Sequence, residues 1–160
     1  MHDVAPSDLL SHARPFEIDF VPARPAIFPT LEQALDTMPV EHPVVLLALH
    51  GGEGEDGTVQ RMLEERGIPY TGSDSAASRA AFDKERAKQI VAGGVPVAES
   101  LVARDARQLE GAVAELFRRH ERLVLKPRAG GSSRGLFFVD RDSDAKAVLA
   151  RASAAGVPYV

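Results

Sequence analysis

Two loops and one lysine hold the residue types that chemistry needs. Residues 50–57 read HGGEGEDG, three carboxylates and a histidine among four glycines. The glycines permit positive φ and let the backbone approach a ligand closely. His50 can carry a positive charge near neutral pH, and Glu55 can accept from a donor or orient a basic partner. A second reading of the same residues is a turn in which Glu55 and Asp56 complement the dipole of a following helix. A third is a metal site, but one histidine with carboxylates at this spacing matches no closed ligand set. Residues 126–135 read KPRAGGSSRG. Consecutive amide N–H groups in such a loop can cradle phosphate oxygens, with Ser132 and Ser133 adding hydroxyl donors. Lys126 ends an apolar run and can set a compact charge on a phosphate. The competing reading is a hairpin turn with solvated basic residues. The loop is neither a Walker A motif nor a GxGxxG fingerprint. Lys84 follows Asp83 where a helix should start, and a helix N-terminus disfavours a cation. It is therefore either solvated or held for an anion.

The elements around these loops alternate between strand and helix patterns. Residues 16–21 (FEIDFV) alternate apolar and polar, as in a half-buried strand. Thr30 and Gln33 form a capping-box pattern before a helix at residues 30–38 that aligns Leu31, Ala34, Leu35 and Met38. Residues 44–49 (VVLLAL) are continuously apolar and predict a strand buried on both faces, with HGGEGEDG at its C-terminal end. A helix over residues 58–66 stops at Gly67, and residues 68–71 suit a short strand. Two helices follow, at residues 75–81 and 83–91, then a strand at residues 97–103. Asp105 and Gln108 cap a helix carrying Leu109, Val113, Leu116 and Phe117. Residues 123–126 and 136–139 are strands around the Gly/Ser loop. A helix over residues 143–155 ends at Gly156, and residues 157–160 look like the opening of a further strand that ends where it needs partners.

The fold class is α/β. Residues 1–74 follow the β-α-β-α-β rhythm of a doubly wound lobe, incomplete here; residues 75–94 are a helical connector; residues 95–160 are α+β. At 160 residues, 44% hydrophobic and 26% charged, the chain is globular in composition. A formal net charge of −4 gives no support to nucleic-acid binding. With no cysteine, disulfides, thiolate metal sites and cysteine nucleophiles are excluded. No apolar run approaches the ~20 residues that span a bilayer, and no signal peptide is visible. A cytoplasmic location is the expectation.

Taken together, four motifs resemble D-alanine–D-alanine ligases, members of the ATP-grasp superfamily. They are His50-Gly51 with Gly54-Glu55-Asp56-Gly57, Gly67-Ile68-Pro69-Tyr70 with Gly72-Ser73, Asp83-Lys84, and Lys126-Pro127 with Gly131-Ser132-Ser133. They stand in the family's order and at close to its spacings, over residues 44–139. The resemblance implies that residues 95–160 are part of an ATP-grasp central domain. It also implies ATP-dependent joining of two D-alanines through an acyl phosphate, for peptidoglycan synthesis. Lys84 and Lys126 then contact ATP phosphates, and Gly130, Gly131, Ser133 and Gly135 belong to the loop that closes over the triphosphate. Ser132 is the catalytic residue that links this loop to the substrate site. His50 and Glu55 serve the D-alanine pocket, Glu55 from behind it. ATP and Mg2+ (or Mn2+) are the implied cofactors, with the metal ligands expected outside these residues. D-alanine is the implied partner and a homodimer the implied assembly. The family's opening glycine loop with Ser-x-Glu has no counterpart before residue 16, and Arg134 replaces a small apolar residue. The expectation is a partial ligase that cannot complete the reaction alone. Alternatives are a ligase for another amino or hydroxy acid, and a non-catalytic nucleotide- or partner-binding domain.

Overall fold

A computed structural model of the chain describes residue 7 and residues 21–37, 44–131, 133–141 and 145–160. The chain divides into two compact units, Met1–Pro43 and Val44–Val160. In the first unit, helix α1 spans Leu31–Thr37 and buries Ala34 and Leu35. Its start is set as the sequence predicts, with Thr30 Oγ1 accepting from the Gln33 amide at 3.2 Å. Of the strand expected at residues 16–21, only Val21 lies among the described residues. Met38, expected on the apolar face of α1, also lies outside them.

In the second unit, residues 44–49 are extended but not buried on both faces. Val45 and Leu47 are half-buried, whereas Val44 is 67% and Leu46 75% exposed. Among the described residues, the segment pairs along one edge, through a parallel bridge between Val45 and Tyr70. The Val45 amide donates to the Pro69 carbonyl at 2.8 Å, and the Thr71 amide donates to the Val45 carbonyl at 3.0 Å. A run this apolar is covered twice only where layers lie on both faces. Here one face is covered, so the pattern of burial alternates. The short strand expected at residues 68–71 is reduced to the same bridge.

A 3-10 turn at Gly52–Gly54 leads into helix α2, Thr58–Glu65, which buries Val59, Gln60 and Leu63. Helix α3, Ser75–Phe82, is capped by Asp74, whose carboxylate accepts from the Ala77 amide. Glu64 on α2 accepts from the Ser75 amide at 2.8 Å, Ser75 Oγ at 2.5 Å and Tyr70 Oη at 2.6 Å. One carboxylate thus ties α2 to the start of α3 and to the bridge segment. The same bond raises the Tyr70 phenol to about 12. Helix α4 spans Lys84–Val91 and is capped by Asp83.

Residues 97–103 do not form the expected strand. Val95, Val97 and Leu101 are exposed, and pairing begins only at Ala103, which bridges Tyr159. A strand needs a neighbour for its amides and carbonyls, and among the described residues that neighbour arrives only there. Helix α5, Ala106–Leu116, has a reciprocal cap: Asp105 Oδ1 accepts from the Gln108 amide at 2.8 Å, and Gln108 Oε1 accepts from the Arg104 amide at 3.0 Å. Strands β1, Arg122–Leu125, and β2, Phe137–Asp140, pair antiparallel with Leu123 opposite Val139. Helix α6, Ala145–Ala154, packs on β2. The final residues are better partnered than expected. Tyr159 bridges Ala103 on one side and Pro127 on the other, and Lys126 and Val160 exchange two backbone hydrogen bonds. The core of this half comprises Ala103, Leu109, Val113, Leu123, Leu125, Val139, Ala152 and Tyr159.

Candidate functional site

The site grows from strand β1. Its side chains alternate, so Leu123 and Leu125 enter the core while Val124 and Lys126 face the other way. Residues of both sets, Leu123 to Lys126, line an apolar cavity of ≈ 550 Å³ with Leu101, Leu116, Lys84 and Lys88. Glu99 also lines it, but its carboxylate is engaged by Arg119 Nη2 at 2.5 Å and His120 Nε2 at 2.8 Å.

Lys84 occupies the first position of α4. Its backbone amide donates to the Arg128 carbonyl at 2.9 Å, and its Nζ donates to the Gly130 carbonyl at 2.7 Å. The ammonium is held below the usual lysine range by burial and by the nearby Lys126 charge. The Gly/Ser loop is anchored one residue pair further on. Arg128 makes a two-pronged bond to Asp83, with Nε to Oδ1 at 3.1 Å and Nη2 to Oδ2 at 2.6 Å. Asp83 caps α4 with the same carboxylate. Loop and helix start are therefore one electrostatic unit.

The loop turns sharply where the sequence places its small residues. Gly130 has φ 117°, Ser133 φ 56° and Gly135 φ 69°. Glycine adopts such angles without strain; Ser133 is the described non-glycine residue that does so. A Cβ on Gly135 would lie 2.8 Å from Pro127 Cγ, so the loop closes too tightly there for a side chain. Ser132 lies outside the described residues.

The acidic loop meets this one from the other side. Glu55 Oε2 is 3.0 Å from where a Cβ on Gly131 would stand. His50 Nδ1 is 3.6 Å from Glu55 Oε1, with the imidazole 82% exposed. A second cavity, ≈ 430 Å³, is lined by Glu55, Gln60, Ser78, Lys84 and Gly130. Lys84 thus stands between the two cavities. His50 lines neither of them, and among the described residues it approaches the group through Glu55.

Three participants escaped the sequence reading: Lys88, Arg128 and the bonding role of Asp83. Lys88 was findable, because it follows Lys84 at the i,i+4 spacing that shares a helix face. Arg128 follows Lys126 at the spacing of two that shares a strand face. Their meeting with Asp83 is a tertiary fact with no local signal. Among the described residues, no three His, Asp or Glu side chains are grouped to hold a metal ion.

Chemically, the arrangement offers cations lining an apolar cavity, a glycine-rich loop joined to them through Lys84, and a carboxylate–imidazole pair across that loop. Residues 17–73 match the family model described as "D-ala D-ala ligase N-terminus". The chain is 45% identical over 116 residues to a D-alanine–D-alanine ligase of Desulforudis audaxviator, covering 71% of this chain and 37% of that protein. Its fold is similar to the D-alanyl-alanine synthetase A of Vibrio cholerae, with a TM-score of 0.65 and 25% identity, covering 72% of this chain and 36% of that one. It is similar also to the VanG D-Ala:D-Ser ligase of Enterococcus faecalis, with a TM-score of 0.61 and 30% identity, covering 72% and 34%. The chain spans about a third of the length of the relatives it matches. The α/β fold class read from the sequence stands, with part of a doubly wound lobe followed by part of an ATP-grasp central domain. By sequence and by fold, the chain is similar to D-alanine–D-alanine ligases over about 70% of its length, and residues 17–73 match the family's N-terminal model.

Proposed function

We propose that residues 44–160 bind ATP and help to hold the first D-alanine in an ATP-dependent ligation of two D-alanines. The observation that carries this is that Lys84 and Lys126 line one apolar cavity, with the Lys84 ammonium bonded to the Gly130 carbonyl of the glycine loop. A purine suits the apolar walls, and a triphosphate suits the ammonium groups of Lys84 and Lys126 that line them.

In the reaction, a carboxylate oxygen of the first D-alanine attacks the γ-phosphorus of ATP. The bond to the bridging oxygen breaks, giving ADP and an acyl phosphate. The amine of the second D-alanine attacks the acyl carbon. A C–N bond forms, inorganic phosphate leaves, and the amine's proton passes to solvent. Lys84 and Lys126 offset charge as it moves onto the leaving phosphate, which is positioning and electrostatic catalysis. Gly130, Gly131, Ser133 and Gly135 let the loop lie close over the phosphates. Ser132 links that loop to the amino-acid side, where Glu55 orients His50. Mg2+ or Mn2+ serves such phosphoryl transfers, but the described residues supply no ligand set for it, so no step here runs through a metal. A homodimer and a cytoplasmic site of action belong to the same proposal.

The test is calorimetric titration of the chain with ATP, with and without Mg2+. The wild-type chain should bind weakly, and Lys126→Ala should lose at least about tenfold in affinity. Unchanged binding in Lys126→Ala would reject the loop assignment. The likeness to a D-Ala:D-Ser ligase favours a second reading, in which the second substrate is D-serine or another small amino or hydroxy acid. Competition between D-alanine and D-serine decides between them. ATP binding with no response to any of these would leave a nucleotide- or partner-binding domain.

A further inference from the structure

Lys88 is absent from the roles assigned above, yet it lines the same ≈ 550 Å³ cavity as Lys84 and Lys126. It lies one helical turn beyond Lys84 on α4. Its Nζ has one bond, to the Ala98 carbonyl at 3.3 Å, near the outer limit for such a contact. Lys84 likewise bonds a carbonyl rather than a carboxylate. Among the described residues, none of the three ammonium groups forms an ion pair with a carboxylate. Asp83 and Glu85, the nearest acids on α4, are taken by Arg128, and Glu99 by Arg119 and His120. Burial depresses both Lys84 and Lys88, and the Lys126 charge adds to it at each, with the Asp83 charge opposing the shift at Lys84. Three like charges gathered at one partly desolvated wall repel each other. Such a cluster is stable at the wall when an anion joins it, because one multivalent anion offsets all three.

We propose that Lys88 is a third phosphate-contacting cation, completing with Lys84 and Lys126 a cradle for the polyphosphate chain of a nucleotide. Because it rests on the ATP site proposed above, its test separates the two. On binding, Lys88 exchanges its long bond to Ala98 for a phosphate oxygen. An ammonium-to-phosphate contact is charge-assisted at both ends and stronger than a bond to a carbonyl. The aliphatic stem stays packed against the cavity wall, so only the head group moves.

The experiment titrates the full chain with ATP and, separately, with inorganic tripolyphosphate. It compares wild type, Lys88→Met, Lys88→Arg and Lys126→Ala at two salt concentrations. Lys88→Met keeps the stem and removes the charge. It should weaken both ligands about tenfold and flatten the salt dependence, while Lys88→Arg retains most of the affinity. A thermal melt of Lys88→Met without ligand, matching wild type, shows that the loss is not misfolding. If Lys88→Met binds both ligands as wild type does, while Lys126→Ala loses them, the Lys88 proposal falls and the ATP site stands. If tripolyphosphate binding depends on Lys88 but ATP binds no better than tripolyphosphate, the cradle stands and the nucleotide reading falls. If wild type binds neither anion, both fall.

Discussion

The Asp83 carboxylate serves two elements at once. It accepts from the Glu85 and Arg86 amides at 3.0 and 3.1 Å, capping α4, and it takes the Arg128 guanidinium at 2.6 Å. The bond from Arg128, helped by the two amides, outweighs burial and draws its pKa from 3.8 down to about 2. A carboxylate whose folded pKa is depressed contributes stability above its unfolded pKa, and that contribution is lost as pH falls through about 2. Asp83→Asn keeps a capping oxygen and removes the charge. It should cost about 1–3 kcal/mol at pH 7. Urea melts of the two proteins should converge as pH is lowered from 5 towards 2. A gap that does not change with pH would show that the Arg128 pairing contributes nothing.

At the scale of elements, the starts of α2 and α3 press together at Gly57. Its φ is 88°, and a Cβ there would lie 2.3 Å from the Ser75 carbonyl oxygen. The obstacle is backbone, which cannot swing aside as a side-chain tip can. Gly57→Ala should destabilise the fold by about 1–3 kcal/mol, read as a lower urea midpoint at unchanged slope. Gly67, with φ 61° and nothing near its missing Cβ, suffers only from the backbone angle, so the same change there should cost less. If the two variants melt alike, the close approach of α2 and α3 is not what demands glycine at residue 57. This packing positions the second cavity, because Gln60 on α2 and Ser78 on α3 both line it.

For the whole molecule, the described candidate residues all fall within one compact unit, Val44–Val160. Ligand binding should therefore stabilise that unit as a whole. At about 100 times Kd, ATP adds about 2.7 kcal/mol to a protein that binds it only when folded. For a chain of this size that is a rise in melting temperature of about 5–10 °C. Differential scanning fluorimetry should show it in full for wild type and reduced to about half or less for Lys126→Ala at the same ATP concentration. A rise of equal size in both proteins would place the nucleotide somewhere other than the Lys126 cavity.

Much of this was legible in residue types and spacing. Thr30 with Gln33, and Asp105 with Gln108, announce their helix starts, because a cap is a contact between residues three apart. Gly67 and Gly156 announce helix ends through the left-handed angles they adopt. Lys84, Lys126 and the two glycine loops were visible as chemistry in search of a ligand. What failed depended on neighbours distant in the chain. Residues 44–49 have the composition of a buried strand and 97–103 that of a strand, but burial and pairing are decided by what packs on them, and among the described residues one is covered on a single face and the other pairs only at Ala103. The joining of Arg128 to Asp83 and of Lys84 to Gly130 spans some 45 residues, beyond any local periodicity. The sequence by itself determined which groups carry charge, where the backbone can turn and where helices begin. The tertiary structure alone decided which charges meet, and so brought three lysines to one cavity where, among the described residues, none of them is ion-paired with a carboxylate.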